Sequence, residues 1–172
     1  APSSSVTQRA AAFLELANRN FDRALAHADR AVLENPSDAL AHQRRGVILI
    51  NMGEITEAAR AYREGLVRDP LSPILIFNLL QLELKRDNVE AASALAQRNK
   101  QHNPGHTLTT SGFLSLSEYQ GNYLETARTL TQVLAEDANN QYIRQSLARI
   151  YWRLGLFDDA ARLAPPPGQV LA

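Results

Sequence analysis

The stretch VLENPSD (Val32–Asp38) closes one apolar, helix-like run with Asn-Pro and opens the next with Ser-Asp. The same beat returns as LVRDPLS (Leu66–Ser72) and as KQHNPGH (Lys100–His106), so that Pro36, Pro70 and Pro104 stand 34 residues apart, twice. Proline lacks the N–H that a helix interior needs and pushes the residue before it out of the α region, so each of these sites ends a helix. A chain that stops itself at a fixed interval is built of repeated units.

Three further columns keep the same step. Phe21, Ile55, Val89, Tyr123 and Phe157 are apolar without exception, and Ala24, Ala58, Ala92, Thr126 and Ala160 are small without exception. Gly53, Gly121 and Gly155 form a weaker column completed by Arg19 and Asp87; the proline column loses its residue at Ala138, where DANN still reads as a turn. Glycine enters the left-handed region without strain, so a mid-unit glycine marks a helix end inside the unit. Each unit is therefore two helices joined by a tight turn. The apolar residue after the turn anchors the second helix, and the small residue one turn on lets the pair approach closely. First helices are expected at about 6–18, 38–52, 72–86, 107–120 and 140–154, and second helices at about 21–34, 55–68, 88–101, 123–136 and 157–164.

Composition agrees. Of 172 residues 45% are apolar and only 6% aromatic, which suits helices packed through Ala and Leu better than a β-sandwich. Eighteen basic and eighteen acidic residues cancel, so no bulk attraction to nucleic acid or an anionic membrane is implied. No cysteine is present, which removes disulfides and thiolate metal sites. The longest apolar run, PILIFNLLQLEL, is broken by Asn78 and Gln81 and falls short of the ~20 residues a membrane span needs. No basic-then-apolar signal sequence is visible, and both periplasm and cytoplasm are compatible with the chain.

The pattern resembles the tetratricopeptide repeat, written W-x2-L-G-x2-Y, then A-x3-F, then P. The second unit, AHQRRGVILINMGEITEAARAYREGLVRDP, is the best match: Gly46 takes the glycine place, Leu49 the tyrosine place, Ala58 and Tyr62 the A-x3-F pair, and Pro70 the closing proline. His42 and Arg45 depart from the Trp and Leu places. The fifth unit matches through Leu147, Tyr151, Gly155, Phe157 and Ala160, while the fourth, with Thr126 and Ala138, diverges most. The resemblance implies an all-α fold, an α-solenoid of antiparallel helix hairpins stacked as a right-handed superhelix. It would run through residues 1–164 as a single array, with units near 5–38, 39–72, 73–106, 107–140 and a truncated 141–164, followed by a Pro-rich tail at 165–172. Pentatricopeptide repeats, which read RNA, have a longer period and a basic groove, and the neutral charge and the 34-residue step argue against them.

Such arrays are generally non-catalytic and hold an extended peptide or a partner helix on an inner face lined by the first helices. Carried over by register, that face comprises Arg9 and Phe13; Gln43, Arg44, Val47 and Asn51; Phe77, Asn78, Gln81 and Lys85; Ser111, Ser115 and Tyr119; and Gln145, Arg149, Trp152 and Arg153. Its charges are Arg9, Arg44, Lys85, Arg149 and Arg153, with Glu118 at its border. Guanidinium and amide groups suit carboxylates and extended backbones, which points to a partner peptide bearing acidic residues. The other reading, solvated surface arginines, stays open. The chaperone-tail clamp of some family members would fall on Arg9, Phe13, Arg44, Ile74 and Asn78, where Phe13 and Ile74 cannot hold a carboxylate, so no such clamp is expected.

No catalytic constellation is found. His102 and His106 flank NPG, so they sit across a loop and not on one helix face; His27 and His42 read as surface or packing residues, and Asp158-Asp159 as a helix start. No cofactor or metal is expected. At the far end, APPPGQVLA forbids further helix and leaves Ala160, Ala161 and Leu163 expected to be partly exposed. That open end motivates an alternative function: self-association, as an assembly module of a larger bacterial protein such as a secretion, pilus or polysaccharide-export scaffold or the sensory array of a regulator.

Overall fold

The computed structural model describes residues 4–163. Ten α-helices follow one another with no strand among the described residues: α1 (Ser4–Ala17), α2 (Phe21–Glu34), α3 (Ala39–Met52), α4 (Ile55–Arg68), α5 (Pro73–Lys85), α6 (Val89–His102), α7 (Thr107–Gln120), α8 (Tyr123–Glu136), α9 (Gln141–Arg153) and α10 (Phe157–Leu163). These lie within two residues of the limits read from the sequence. The tail at 165–172 lies outside the described residues. The chain forms two compact units, one ending at Thr109 and the other beginning at Thr110, and α7 starts in the first and continues into the second.

The periodicity is carried by backbone hydrogen bonds. In each mid-unit turn one residue enters the left-handed region: Arg19 (φ 60°), Gly53 (φ 84°), Asp87 (φ 59°), Gly121 (φ 73°) and Gly155 (φ 77°). The next residue then donates back across the turn: Asn20 to Glu15, Glu54 to Leu49, Asn88 to Glu83, Asn122 to Ser117 and Leu156 to Tyr151, all at 2.9–3.0 Å. This is the six-to-one bond of a Schellman cap, made five times at one spacing. Arg19 and Asp87 therefore do the work of glycine at a cost. Arg19→Gly is expected to stabilise the chain by about 0.5–1 kcal/mol, read as a rise in the urea midpoint at unchanged slope.

The turns between hairpins repeat as well. The amides of Asn35, Asp69, Asn103 and Asp137 donate to Ala31, Gly65, Asn99 and Val133, at 2.8–3.2 Å. The fourth turn makes this bond without a proline, so Ala138 changes the stiffness of the turn and not its hydrogen bonding. Side-chain caps start the following helices. Asp38 Oδ1 accepts from Leu40 and Ala41 (3.0 and 3.3 Å), Asn88 from Ala91 (3.3 Å), and Asn140 from Ile143 (3.2 Å).

In the first unit the hairpins α1–α2, α3–α4 and α5–α6 pack in order, with α2 on α3 and α4 on α5. One cluster joins Ala12, Ala24, Ala28 and Ile48; a second joins Leu49, Ala58, Tyr62, Leu66, Leu75, Leu79 and Leu82. Small residues set the approach. A Cβ on Gly46 would stand 2.6 Å from Tyr62 Cζ and 2.7 Å from Cδ1, so the ring lies flat on the α3 backbone. Buried Glu83 ties α5 to its surroundings, pairing with Arg63 of α4, with Arg86 (3.6 Å) and with Asn88 Nδ2 (3.1 Å). In the second unit the core comprises Leu114, Ala127, Leu130, Ile143, Leu147 and Ile150. Divergent Thr126 is buried there, its hydroxyl paired with Ser117 and with the Asn122 carbonyl (3.0 Å). One expectation at the far end is corrected: Ala160 is fully buried, while Ala161 is exposed and Leu163 half-buried, because Ala160 is the close-approach residue of the α9–α10 pair.

Candidate partner-binding surface

Within the first unit the structure brings Arg9, Phe13 and Arg44 together. α1 packs on α3, and the Arg44 guanidinium lies over the Phe13 ring, 4.9 Å from its centroid. Phe13 is 56% exposed, so the ring forms an open floor under a charged group. Arg9 Nε lies 2.8 Å from Asp38 Oδ2, which also accepts from the Ser5 hydroxyl at 3.0 Å. Asp38 thus caps α3 with one oxygen and neutralises Arg9 with the other. Burial holds the Arg44 guanidinium below the ordinary arginine range, and the neighbouring Arg9 charge lowers it further. Arg44 Nε is buried and donates to no protein atom, and the same holds for Asn78 Nδ2 at the matching position of α5. Both effects on Arg44 favour an incoming anion, and a half-buried guanidinium binds a carboxylate more strongly than one in bulk water.

The remaining first-unit candidates are arranged less tightly. Gln43, Val47, Phe77 and Gln81 are half-buried, while Asn51 and Lys85 are exposed. Asn51 turns its amide back on its own helix, donating to the Val47 carbonyl at 2.9 Å. A surface depression of about 560 Å³ at the α1–α2 turn is lined by Arg19, Asn20, Phe21, Asp22, Arg23 and Met52, none of them a candidate.

In the second unit Ser115 donates its hydroxyl to the Ser111 carbonyl (3.0 Å), and the Ser111 hydroxyl pairs with the Tyr142 hydroxyl. Ser111 thus ties α7 to α9, while Ser115 bonds within its own helix. Tyr119 is 46% exposed, and Gln145, Arg149 and Arg153 are exposed. Trp152 is 56% exposed and makes a tilted ring contact with Phe157, centroids 4.7 Å apart at 57°, which joins α9 to α10.

Sequence reasoning missed Asp38 as the counter-ion of Arg9, although its place directly before an apolar run marks it as a cap. It also missed Glu83, whose signal is a carboxylate standing between Leu82 and Leu84. The histidines pack: His42 is buried with Nε2 3.0 Å from the Pro36 carbonyl, and His27 Nδ1 lies 2.7 Å from Gln8 Oε1. His102 ends α6 and His106 precedes α7, where its Nδ1 accepts from the Leu108 amide at 3.1 Å. Among the described residues no group of three His, Asp or Glu could hold a metal ion, and no helix is long and apolar enough to cross a membrane.

Helix hairpins repeated at one spacing, closed by the same two turns and packed through small residues, define an α-solenoid repeat protein. The chain belongs to the tetratricopeptide repeat family: one family model matches residues 9–73 and 44–104, and a second matches 119–164. It is 32% identical over 97 residues to human tetratricopeptide repeat protein 28, a match covering 55% of this chain and 4% of that protein. The chain therefore spans a small fraction of that curated relative. Among solved structures it is similar to PilF of Pseudomonas aeruginosa, with TM-score 0.75 and 17% identity over 97% of this chain and 78% of the other. It is also similar to PilW, a widely conserved type IV pilus biogenesis factor, with TM-score 0.72 and 19% identity over 95% and 76%. At these identities the likeness is one of fold. The fold is that of a protein–protein interaction scaffold, and the family is generally non-catalytic.

Proposed function

We propose that the chain binds a partner peptide or helix along the first-helix face of its first unit, and that the partner presents acidic residues there. The observation that carries this reading is Arg44: half-buried, stacked on exposed Phe13, beside a second arginine, and with a buried N–H that no protein acceptor meets. A carboxylate on the solvent side of the half-buried Arg44 guanidinium would offset the like charge that Arg9 places beside it. Fluorescence titration with acidic and basic peptide libraries tests it. Acidic peptides are expected to bind better, and Arg44→Ala to weaken them about tenfold, or about 1.4 kcal/mol. Equal weak binding to both libraries, unchanged in the variant, would sink the idea. The face carrying Tyr119, Arg149, Trp152 and Arg153 in the second unit is proposed to contact the same class of partner.

A second reading, self-association as part of a larger assembly, is favoured by the apolar exposure of the last hairpin, where Trp152, Leu156 and Phe157 are 56%, 44% and 53% exposed. The fold likeness to a pilus biogenesis factor is compatible with such a role.

A further inference from the structure

Three arginines meet around the start of α3, and their counter-ions differ. Arg45 is taken up by Asp29 (2.7 Å) and by Glu64 (3.2 Å). Arg9 is taken up by Asp38, whose Oδ2 lies 2.8 Å from its Nε. Arg44 rests on the Phe13 ring and makes no ion pair among the described residues. The side chains of Arg9 and Asp38 are 22% and 13% exposed, so solvent screens their attraction little. The Arg9 Nε–H is not aimed at the carboxylate and makes no hydrogen bond there, so the contact is one of charge and not of donor geometry.

The repeat register shows that capping α3 does not require this charge. Asp38 corresponds to Ser72, His106 and Asn140, none of them acidic. Asn140 caps α9 with a neutral amide oxygen, accepting from Ile143 at 3.2 Å. Asp38 caps α3 with Oδ1 alone, and its Oδ2 faces Arg9 and the Ser5 hydroxyl. Arg9 is equally singular, since its counterparts Gln43, Phe77, Ser111 and Gln145 are uncharged. Acid and base thus enter the repeat together, beside the arginine whose charge stays open. Arg9 and Arg44 sense each other's charge, so two guanidinium groups and one carboxylate leave the site a single positive charge.

We infer that Asp38 is the specificity-determining residue of this surface: it holds the Arg9 charge within the chain, so that Arg44 takes one carboxylate of a partner and a second, adjacent carboxylate finds no open cation. Asp38 also repels that second carboxylate directly. The wild-type residue therefore restrains binding, and the partner segment that fits carries an isolated acidic residue and not an acidic run. The inference rests on the acidic-partner reading and adds to it the number of charges recognised.

Fluorescence titration of the wild type and of Asp38→Asn tests it, with short labelled peptides of one glycine-serine frame that carry no glutamate, one glutamate or two adjacent glutamates. Asparagine keeps the capping oxygen and removes the charge. Circular dichroism and the urea midpoint check that the fold is kept, and Asp38→Ser replaces an asparagine variant that loses it. In the wild type the first glutamate is expected to raise affinity about tenfold and the second under about twofold. In Asp38→Asn the second glutamate is expected to add a further factor of about five to ten, which fades as salt rises. A purely structural role for Asp38 would instead lower affinity for all three peptides alike, and that result overturns the inference. A variant that gains nothing from the second glutamate, or a wild type that gains as much from the second as from the first, also overturns it and leaves the acidic-partner reading standing. A wild type that binds the three peptides equally overturns both.

Discussion

Gly46→Val is expected to destabilise the chain by about 3 kcal/mol, the upper part of the range for overpacking a filled core. The argument is steric. Any Cβ at this position falls within 2.7 Å of Tyr62 Cδ1 and Cζ, Tyr62 is fully buried, and its ring is held between α3 and α4 with no room to swing aside. A helix-interior glycine normally costs about 1 kcal/mol relative to alanine, so its presence here means that close approach outweighs helix propensity. Gly53, by contrast, has no atom within 4 Å of a built Cβ and is demanded by its φ of 84° alone. The measurement is chemical denaturation of Gly46→Val beside the wild type. A loss below about 1 kcal/mol for Gly46→Val would mean that the α3–α4 contact yields easily, against the close packing of protein interiors.

Ile48→Ala is expected to cost about 3 kcal/mol, while Leu14→Ala, at the same place in the repeat, is expected to cost under about 0.5 kcal/mol in the monomer. Residue type and helix position are nearly the same; only burial differs, 0% against 61% exposed. Deleting the Ile48 side chain opens a cavity among Ala12, Ala24 and Ala28, side chains too short to fill it. Thermal unfolding at low protein concentration separates the two, and equal losses would refute the burial assignment.

The fold was legible because it is written in residues whose local chemistry is decisive. Prolines that must end helices, glycines that can turn left-handed and small residues that allow approach recur at one step, so errors at single sites average out. Ala138 and Arg19 show why the register survives substitution: the turn bonds are made by backbone amides and carbonyls, which every residue supplies. The candidate surface was legible only as a set of positions. Sequence register put Arg9 and Arg44 on one face but could not show that Asp38 takes up the charge of Arg9, since that pairing crosses from α1 to the start of α3 and depends on a rotamer. It also gave Ser115 and Trp152 as partner-facing, whereas the Ser115 hydroxyl serves its own helix and Trp152 touches the Phe157 ring as well as meeting solvent. Side-chain hydrogen bonds of this kind are decided by tertiary geometry, which a one-dimensional period does not encode.

The five identical turns carry a consequence for how the chain folds. The longest-range side-chain bonds described above, Ser5 to Asp38 and Ser111 to Tyr142, bridge 33 and 31 positions, about the length of one repeat. These bonds reach only the neighbouring hairpin, so joining distant parts of the chain costs entropy in small steps. Such a molecule has several equivalent places to nucleate, and structure spreads outward from whichever forms first.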